Sequence, residues 1–223
     1  MLKRKVYQEL LKWKENTEGK ALCIIGARQI GKTTLIRKFG KNEYEHFAEI
    51  NFVTDEKAAD IFKDKLTAEA IITNLTAYLQ TPLEPGKTLI LFDEVQECPA
   101  VRSAIKFLVE DGRFDYIESG SLLGVRYKEV RSYPVGFEQI LPMYPLDFEE
   151  YLWANGVQDK TLQYLKNCYD RRERVSDSVH ETLCKLFYSY LVVGGMPETE
   201  CEINEMICGL RNDYRGLTVL SIA

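Results

Sequence analysis

The stretch from Ala21 to Phe39 constrains the fold more than any other part of the chain. A short continuous apolar run, Ala21 to Ile25, leads into Gly26-Ala-Arg-Gln-Ile-Gly31-Lys32-Thr33, and a helical pattern follows from about Lys32 to Phe39, where Gly40 is expected to stop it. The eight residues fit G-x-x-x-x-G-K-[ST] at every fixed position. An apolar run of that length suits a strand buried on both faces. The glycines let the backbone turn tightly and point its N–H groups inward. With the helix N-terminus, those groups form a concave anion site.

The rest of the chain repeats this alternation. Phe47 to Phe52, Thr88 to Phe92 and Phe114 to Glu118 read as strands. Lys3 to Asn16, Glu56 to Lys65, Thr67 to Leu79 and Pro99 to Glu110 read as helices, the last with proline near its start. This pattern predicts a three-layer α/β/α domain with a parallel sheet over residues 1–145. Tyr133 to Pro145 is rich in Pro and Gly and is expected to hold one short edge strand. Asp147 to Ala154, Lys160 to Arg172 and Ser178 to Val193 read as helices of a small helical region over residues 146–199. Residues 200–223 form a tail.

Composition narrows the class. At 223 residues and 45% hydrophobic, the chain can build one good-sized core with a helical appendage. A net charge of −5 disfavours broad binding to phosphate backbones, although a local basic patch remains open. Arg171, Arg172 and Arg174 are interleaved with Asp170 and Glu173, as in a solvated helix end. No run approaches the roughly 20 apolar residues that span a bilayer, and no signal peptide opens the sequence. The six cysteines form no CxxC pair, so they read as reduced thiols of a cytoplasmic protein. His46 and His180 are isolated, which argues against a catalytic triad.

The chemistry implied is that of a nucleotide triphosphate. Gly26, Ala27, Arg28, Gln29, Ile30, Gly31, Lys32, Thr33 and Thr34 would wrap the phosphates. Lys32 would reach the β- and γ-phosphates, and the Thr33 hydroxyl would bind magnesium. Leu89-Ile-Leu-Phe92 ends in Asp93-Glu94, and a carboxylate at the carboxyl end of a buried strand emerges beside such a loop. Asp93 is expected to hold Mg²⁺ with Thr33, and Glu94 to polarise the attacking water. Ser121 or Ser119, two hydroxyls of one Ser-Gly-Ser turn that the sequence does not separate, is expected near the γ-phosphate. Arg28, Arg126 and Arg131 are candidates for an arginine supplied to the γ-phosphate. Neither Asn-Lys-x-Asp nor Asp-x-x-Gly accompanies the site, so ATP is favoured over GTP by elimination.

These motifs, with Leu91-Phe-Asp-Glu-Val-Gln96, Ser119-Gly-Ser-Leu-Leu-Gly-Val125, Ser132-Tyr-Pro-Val-Gly136, Tyr144-Pro-Leu-Asp-Phe-Glu-Glu-Tyr-Leu152 and Tyr190-Leu-Val-Val-Gly-Gly-Met-Pro197, carry a resemblance. The chain resembles bacterial and archaeal AAA-type ATP-binding proteins, a branch of the P-loop ATPases, from about residue 3 to 199. The resemblance implies an ATPase core, a small helical region and a carboxy-terminal domain similar to restriction-endonuclease folds. Residues 200–223 would be the start of that domain, in a shortened gene product or an excised fragment. Some relatives carry a Gly-Arg pair where this chain has Val135-Gly136-Phe137, which weakens any arginine-finger assignment here. The expected activity is slow, Mg-dependent ATP hydrolysis that drives a conformational or assembly switch, with self-association or a protein partner. The alternative is a non-catalytic ATP- or ADP-binding module that docks a partner or nucleic acid through its helical region.

Overall fold

The computed structural model describes residues 2–16, 18–63, 67–121 and 136–197. They divide into two compact units: Lys5–Tyr144, and residues 2–4 together with those from Pro145 onward.

The first unit is a three-layer α/β/α domain around a parallel sheet. Its strands are β1 (Ala21–Gly26), β2 (His46–Asn51), β3 (Thr88–Asp93), β4 (Asp115–Ser121) and β5 (Glu138–Pro142). They lie in the order β2-β3-β4-β1-β5, every pairing parallel. β3 is buried at each position, which accounts for its unbroken apolar run. β5 is the expected edge strand, and its Pro142 removes an N–H that an inner strand would need.

Helices α1 (Val6–Glu15), α2 (Lys32–Glu43), α3 (Ala68–Leu79) and α4 (Pro99–Asp111) cover the sheet. One sheet face carries Ala21, Ile50, Ile90, Phe92 and Tyr116. It packs with Ile71 and Leu75 of α3, Val101, Ile105 and Leu108 of α4, and Phe62 of a 3₁₀ turn. Phe52, Phe62 and Phe92 meet in tilted and edge-to-face contacts, and Phe92 stacks on Tyr116. Alternation along the strands sends Leu22, Ile24, Leu91 and Ile117 to the other face, where Leu10 and Trp13 of α1 and Ile36 and Phe39 of α2 are also buried.

Three sequence expectations change. Gly40 does not stop α2, which runs on to Glu43. A Cβ on Gly40 would lie 2.2 Å from the Phe47 ring, so the glycine admits an aromatic side chain against the helix. The helical stretch expected over Glu56 to Lys65 is, in its described part, a 3₁₀ helix at residues 56–62. β4 runs three residues beyond Glu118, to Ser121. Ser119, Gly120 and Ser121 have weak strand propensity, but β1 provides a full ladder partner through Ile24, Ile25 and Gly26.

The second unit is helical, with α5 (Phe148–Ala154), α6 (Asp159–Arg171) and α7 (Asp177–Val193). Asp147 opens α5 with a capping box, accepting from Glu150 N–H while the Glu150 carboxylate accepts from Asp147 N–H. Phe148, Tyr151, Phe187 and Tyr190 form an aromatic cluster. The Tyr190 hydroxyl donates to Leu146 O at 2.9 Å. Arg4 pairs with Glu150 at 3.2 Å with both side chains buried, and Lys3 pairs with Asp159 at 2.8 Å. Arg171, Arg172 and Arg174 are exposed, Arg174 bonding Asp177 at 2.7 Å, as a solvated helix end should be. No described helix is long and apolar enough to cross a membrane.

Candidate functional site

The loop between β1 and α2 lies at the carboxyl edge of the sheet. Gly26 has no room for a side chain, because a Cβ there would lie 2.3 Å from the Met143 carbonyl oxygen. Gly31 closes the loop at φ 86°, a left-handed conformation that glycine adopts without strain. Gln29 also has positive φ, at 65°. Ile30 is fully buried and anchors the loop from below, while Ala27, Arg28 and Gln29 are exposed. Thr34 is exposed on the first turn of α2.

Lys32 begins α2. Its ammonium turns back over the loop and donates to Gly26 O at 3.1 Å and Ala27 O at 2.8 Å. Burial pulls its pKa below the ordinary lysine value, and the Glu94 and Asp93 carboxylates pull it back up. A cation held between backbone carbonyls, facing two acids, is placed to receive a polyanion.

Asp93 ends β3 and is buried. Its carboxylate accepts from three donors on three different elements: Thr33 Oγ1 of α2 at 3.0 and 3.2 Å, Asn51 Nδ2 of β2 at 2.8 Å, and Ser119 Oγ of β4. These bonds fix the carboxylate's rotamer beside Thr33. The oxygen donor set of Thr33 and Asp93 fits a small hard cation.

Glu94 follows at φ 57°, ψ 48°. A non-glycine residue in the left-handed region is uncommon, and such strain clusters where a side chain must be aimed. It is half-buried, and the 3₁₀ turn Val95–Glu97 returns Gln96 so that its Nε2 donates to Glu94 Oε2. Gln96 Oε1 accepts the Ser121 backbone N–H at 3.3 Å.

The structure therefore brings Lys32, Thr33, Asp93 and Glu94 together. It separates the two serines: Ser119 bonds Asp93, whereas Ser121 lies one strand repeat further, at the end of β4 beside Gln96. Arg126 and Arg131 lie outside the described residues, as do residues 122–135 of the quoted motifs and the tail. Sequence reading missed Asn51 and the role of Gln96. Asn51 is the polar end of a weakly alternating strand, and its register opposite Asp93 is its only signal. Among the described cysteines, Cys23, Cys98 and Cys168 are buried, and none is in a disulfide.

A second polar cluster lies under the sheet. The buried Arg102 of α4 pairs with Glu138 of β5 at 2.6 Å. Glu118 of β4 is fully buried beside Cys23 and Glu138, and neither of its carboxyl oxygens meets a donor among the described residues. Burial, and then Glu138, push the Glu118 pKa well above the carboxylate range.

Comparison with known proteins adds the family. The sequence profile of the AAA domain matches residues 18–152. No curated protein matches the chain by sequence. Among solved structures, a Walker-type ATPase of Pyrococcus abyssi shows 14% identity and a TM-score of 0.45, over 96% of this chain and 76% of that one. DnaA from Aquifex aeolicus, bound to AMPPCP, shows 15% identity and a TM-score of 0.49, over 96% of this chain and 62% of that one. Pif1 helicase from Candida albicans shows 14% identity and a TM-score of 0.44, over 83% of this chain and 48% of that one.

Proposed function

The chain belongs to the AAA-domain family, and from that premise we propose that it binds ATP with Mg²⁺ in the loop between β1 and α2 and hydrolyses it as a conformational or assembly switch. The observation that carries this reading is the convergence of one cation, one hydroxyl and two carboxylates on a single loop. Lys32 stands over the loop, Thr33 bonds Asp93, and Glu94 is adjacent.

Each residue has a role that its geometry supports. The N–H groups of the loop and the first turn of α2 hold the phosphates, since no side chain caps that helix. Lys32 balances the charge on the β- and γ-phosphates. Thr33 and Asp93 hold Mg²⁺, which when bound neutralises charge on the phosphate oxygens. Glu94 accepts a proton from water as the water oxygen bonds the γ-phosphorus. The bond from that phosphorus to the bridging oxygen breaks, and ADP leaves with the electron pair. Asn51 and Ser119 keep Asp93 aimed at Thr33, and Ser121 at the end of β4 is the hydroxyl proposed to sense the γ-phosphate. Loss of that phosphate would release what ties the loop, β3 and β4 together, which is the switch. An arginine supplied by a partner would raise a slow basal rate.

A second reading is favoured by the helical unit. Tyr188, Leu191 and Val192 of α7 and Tyr169 of α6 are largely exposed. Apolar side chains on that surface suit a binding module that docks a partner while nucleotide is held without turnover.

Phosphate release by the purified chain, with Glu94→Gln alongside, tests the proposal. Turnover should fall by at least about 100-fold in the variant while Mg·ATP binding persists. Equal binding with no turnover in either protein supports the module instead, and no Mg·ATP binding by the intact chain overturns both.

A further inference from the structure

We infer that Gln96 is a positioning residue for Glu94, coupling the proposed base to the end of β4. The inference rests on the hydrolytic reading above and names a residue that reading does not use.

Three observations converge. Glu94 sits in the left-handed region at φ 57°, ψ 48°, where an ordinary residue is held only if its surroundings over-determine it. The turn that follows is closed by Glu97 N–H donating to Glu94 O at 3.0 Å and Cys98 N–H donating to Val95 O at 3.1 Å. That turn brings the Gln96 side chain back against the Glu94 carboxylate.

The Gln96 amide uses both ends. Its nitrogen donates to Glu94 Oε2, and its oxygen accepts from Ser121 N–H at 3.3 Å. A primary amide is suited to this bridge because it joins one donor to one acceptor in a rigid plane. A carboxylate in its place would repel Glu94, and asparagine is one methylene short. Val95 is fully buried, so the turn is anchored in the core next to Gln96.

The consequence is a link between two strand ends. Glu94 follows β3, and Ser121 ends β4, the strand inserted between β3 and β1. A displacement at the end of β4 would reach the Glu94 carboxylate through one side chain. The bridge leaves Lys32, Thr33 and Asp93 untouched, so it bears on turnover rather than on nucleotide binding.

A double-mutant cycle tests this. Phosphate release and Mg·ATP affinity are measured for the wild type, Gln96→Ala, Glu94→Gln and the double variant, with Gln96→Glu as a fifth protein. Gln96→Ala should lower kcat about tenfold and leave the Mg·ATP Kd within about twofold. In the Glu94→Gln background the same change should cost nothing further. Gln96→Glu retains an acceptor for Ser121 N–H but faces Glu94 with a like charge, so its kcat should fall at least as far as that of Gln96→Ala. Equal fractional losses of kcat in both backgrounds would overturn the inference and leave the hydrolytic reading standing, as would wild-type kcat in Gln96→Glu. Full turnover in Glu94→Gln would overturn the two together.

Discussion

The Thr33 hydroxyl lies 3.0 Å from Asp93 Oδ2, although 60 positions separate the two residues in the chain. One lies in the first turn of the helix after β1 and the other ends β3, and β4 lies between those strands. The pair defines the proposed cation site. Replacing Thr33 by serine retains the hydroxyl, and replacing it by valine removes it at nearly constant volume. Thr33→Ser should hydrolyse ATP at near wild-type Mg²⁺ concentrations. Thr33→Val should need at least about tenfold more Mg²⁺ for half-maximal activity, a loss of about 1.4 kcal/mol. Magnesium titration of phosphate release reads the difference.

Lys32→Ala removes the ammonium that Gly26 and Ala27 hold over the loop. A charge-assisted hydrogen bond contributes about 1.5–3 kcal/mol, so ATP affinity should drop by roughly 10- to 150-fold in calorimetry. Thermal stability should hold or rise slightly, because the buried ammonium is desolvated in the fold.

Asn51→Ala removes one of the three donors on the Asp93 carboxylate. The cost should be about 1–2 kcal/mol in apparent Mg²⁺ affinity, read as a 5- to 30-fold shift of the magnesium midpoint. ATP affinity measured without Mg²⁺ should stay near wild type, since the Asn51 side chain bonds Asp93 and the Val53 and Thr54 N–H groups.

Glu118→Gln tests the buried acid beneath the sheet. Its folded pKa is raised, chiefly by burial, so the native state keeps a proton that the unfolded chain releases. Wild-type stability should therefore decline as pH rises from the ordinary carboxylate range through the folded pKa, then level off. The glutamine variant has no titrating side chain at position 118, while Glu138 and Cys23 are common to both proteins. Subtracting its melting temperatures from the wild type's across pH 4–9 should isolate that decline, with the variant the more stable at the alkaline end.

Gly40→Ala reverses a common rule. Alanine usually stabilises a helix interior by about 1 kcal/mol over glycine. Here the new methyl would meet Phe47 Cδ2 at 2.2 Å, and overpacking costs about 1–3 kcal/mol. Chemical denaturation should show a destabilised protein, and Phe47→Leu in the same chain should restore the usual sign.

Much of this fold was legible one segment at a time. The apolar run before Gly26, the run ending in Asp93-Glu94, and the helical spacing of Val101, Ile105 and Leu108 report local burial, and burial leaves a periodic trace. The proposed phosphate loop was legible for the same reason, since its glycines answer to local backbone geometry. The expected end of β4 falls short because Ser119-Gly-Ser121 carries little strand preference of its own, and Gly40 resembles a stop because glycine favours helix ends, whereas the Phe47 ring it admits lies outside the helix.

The sequence by itself determined that strands and helices alternate and that one glycine-rich turn joins a buried strand to a helix. Only the tertiary structure decided that β4 lies between β1 and β3, that Asn51 and Ser119 hold Asp93, and that Gln96 bridges Glu94 to Ser121. The reason is physical: periodicity and turn chemistry act over a few neighbouring residues, whereas strand order and register bring together side chains distant in the chain, and no local pattern encodes that distance.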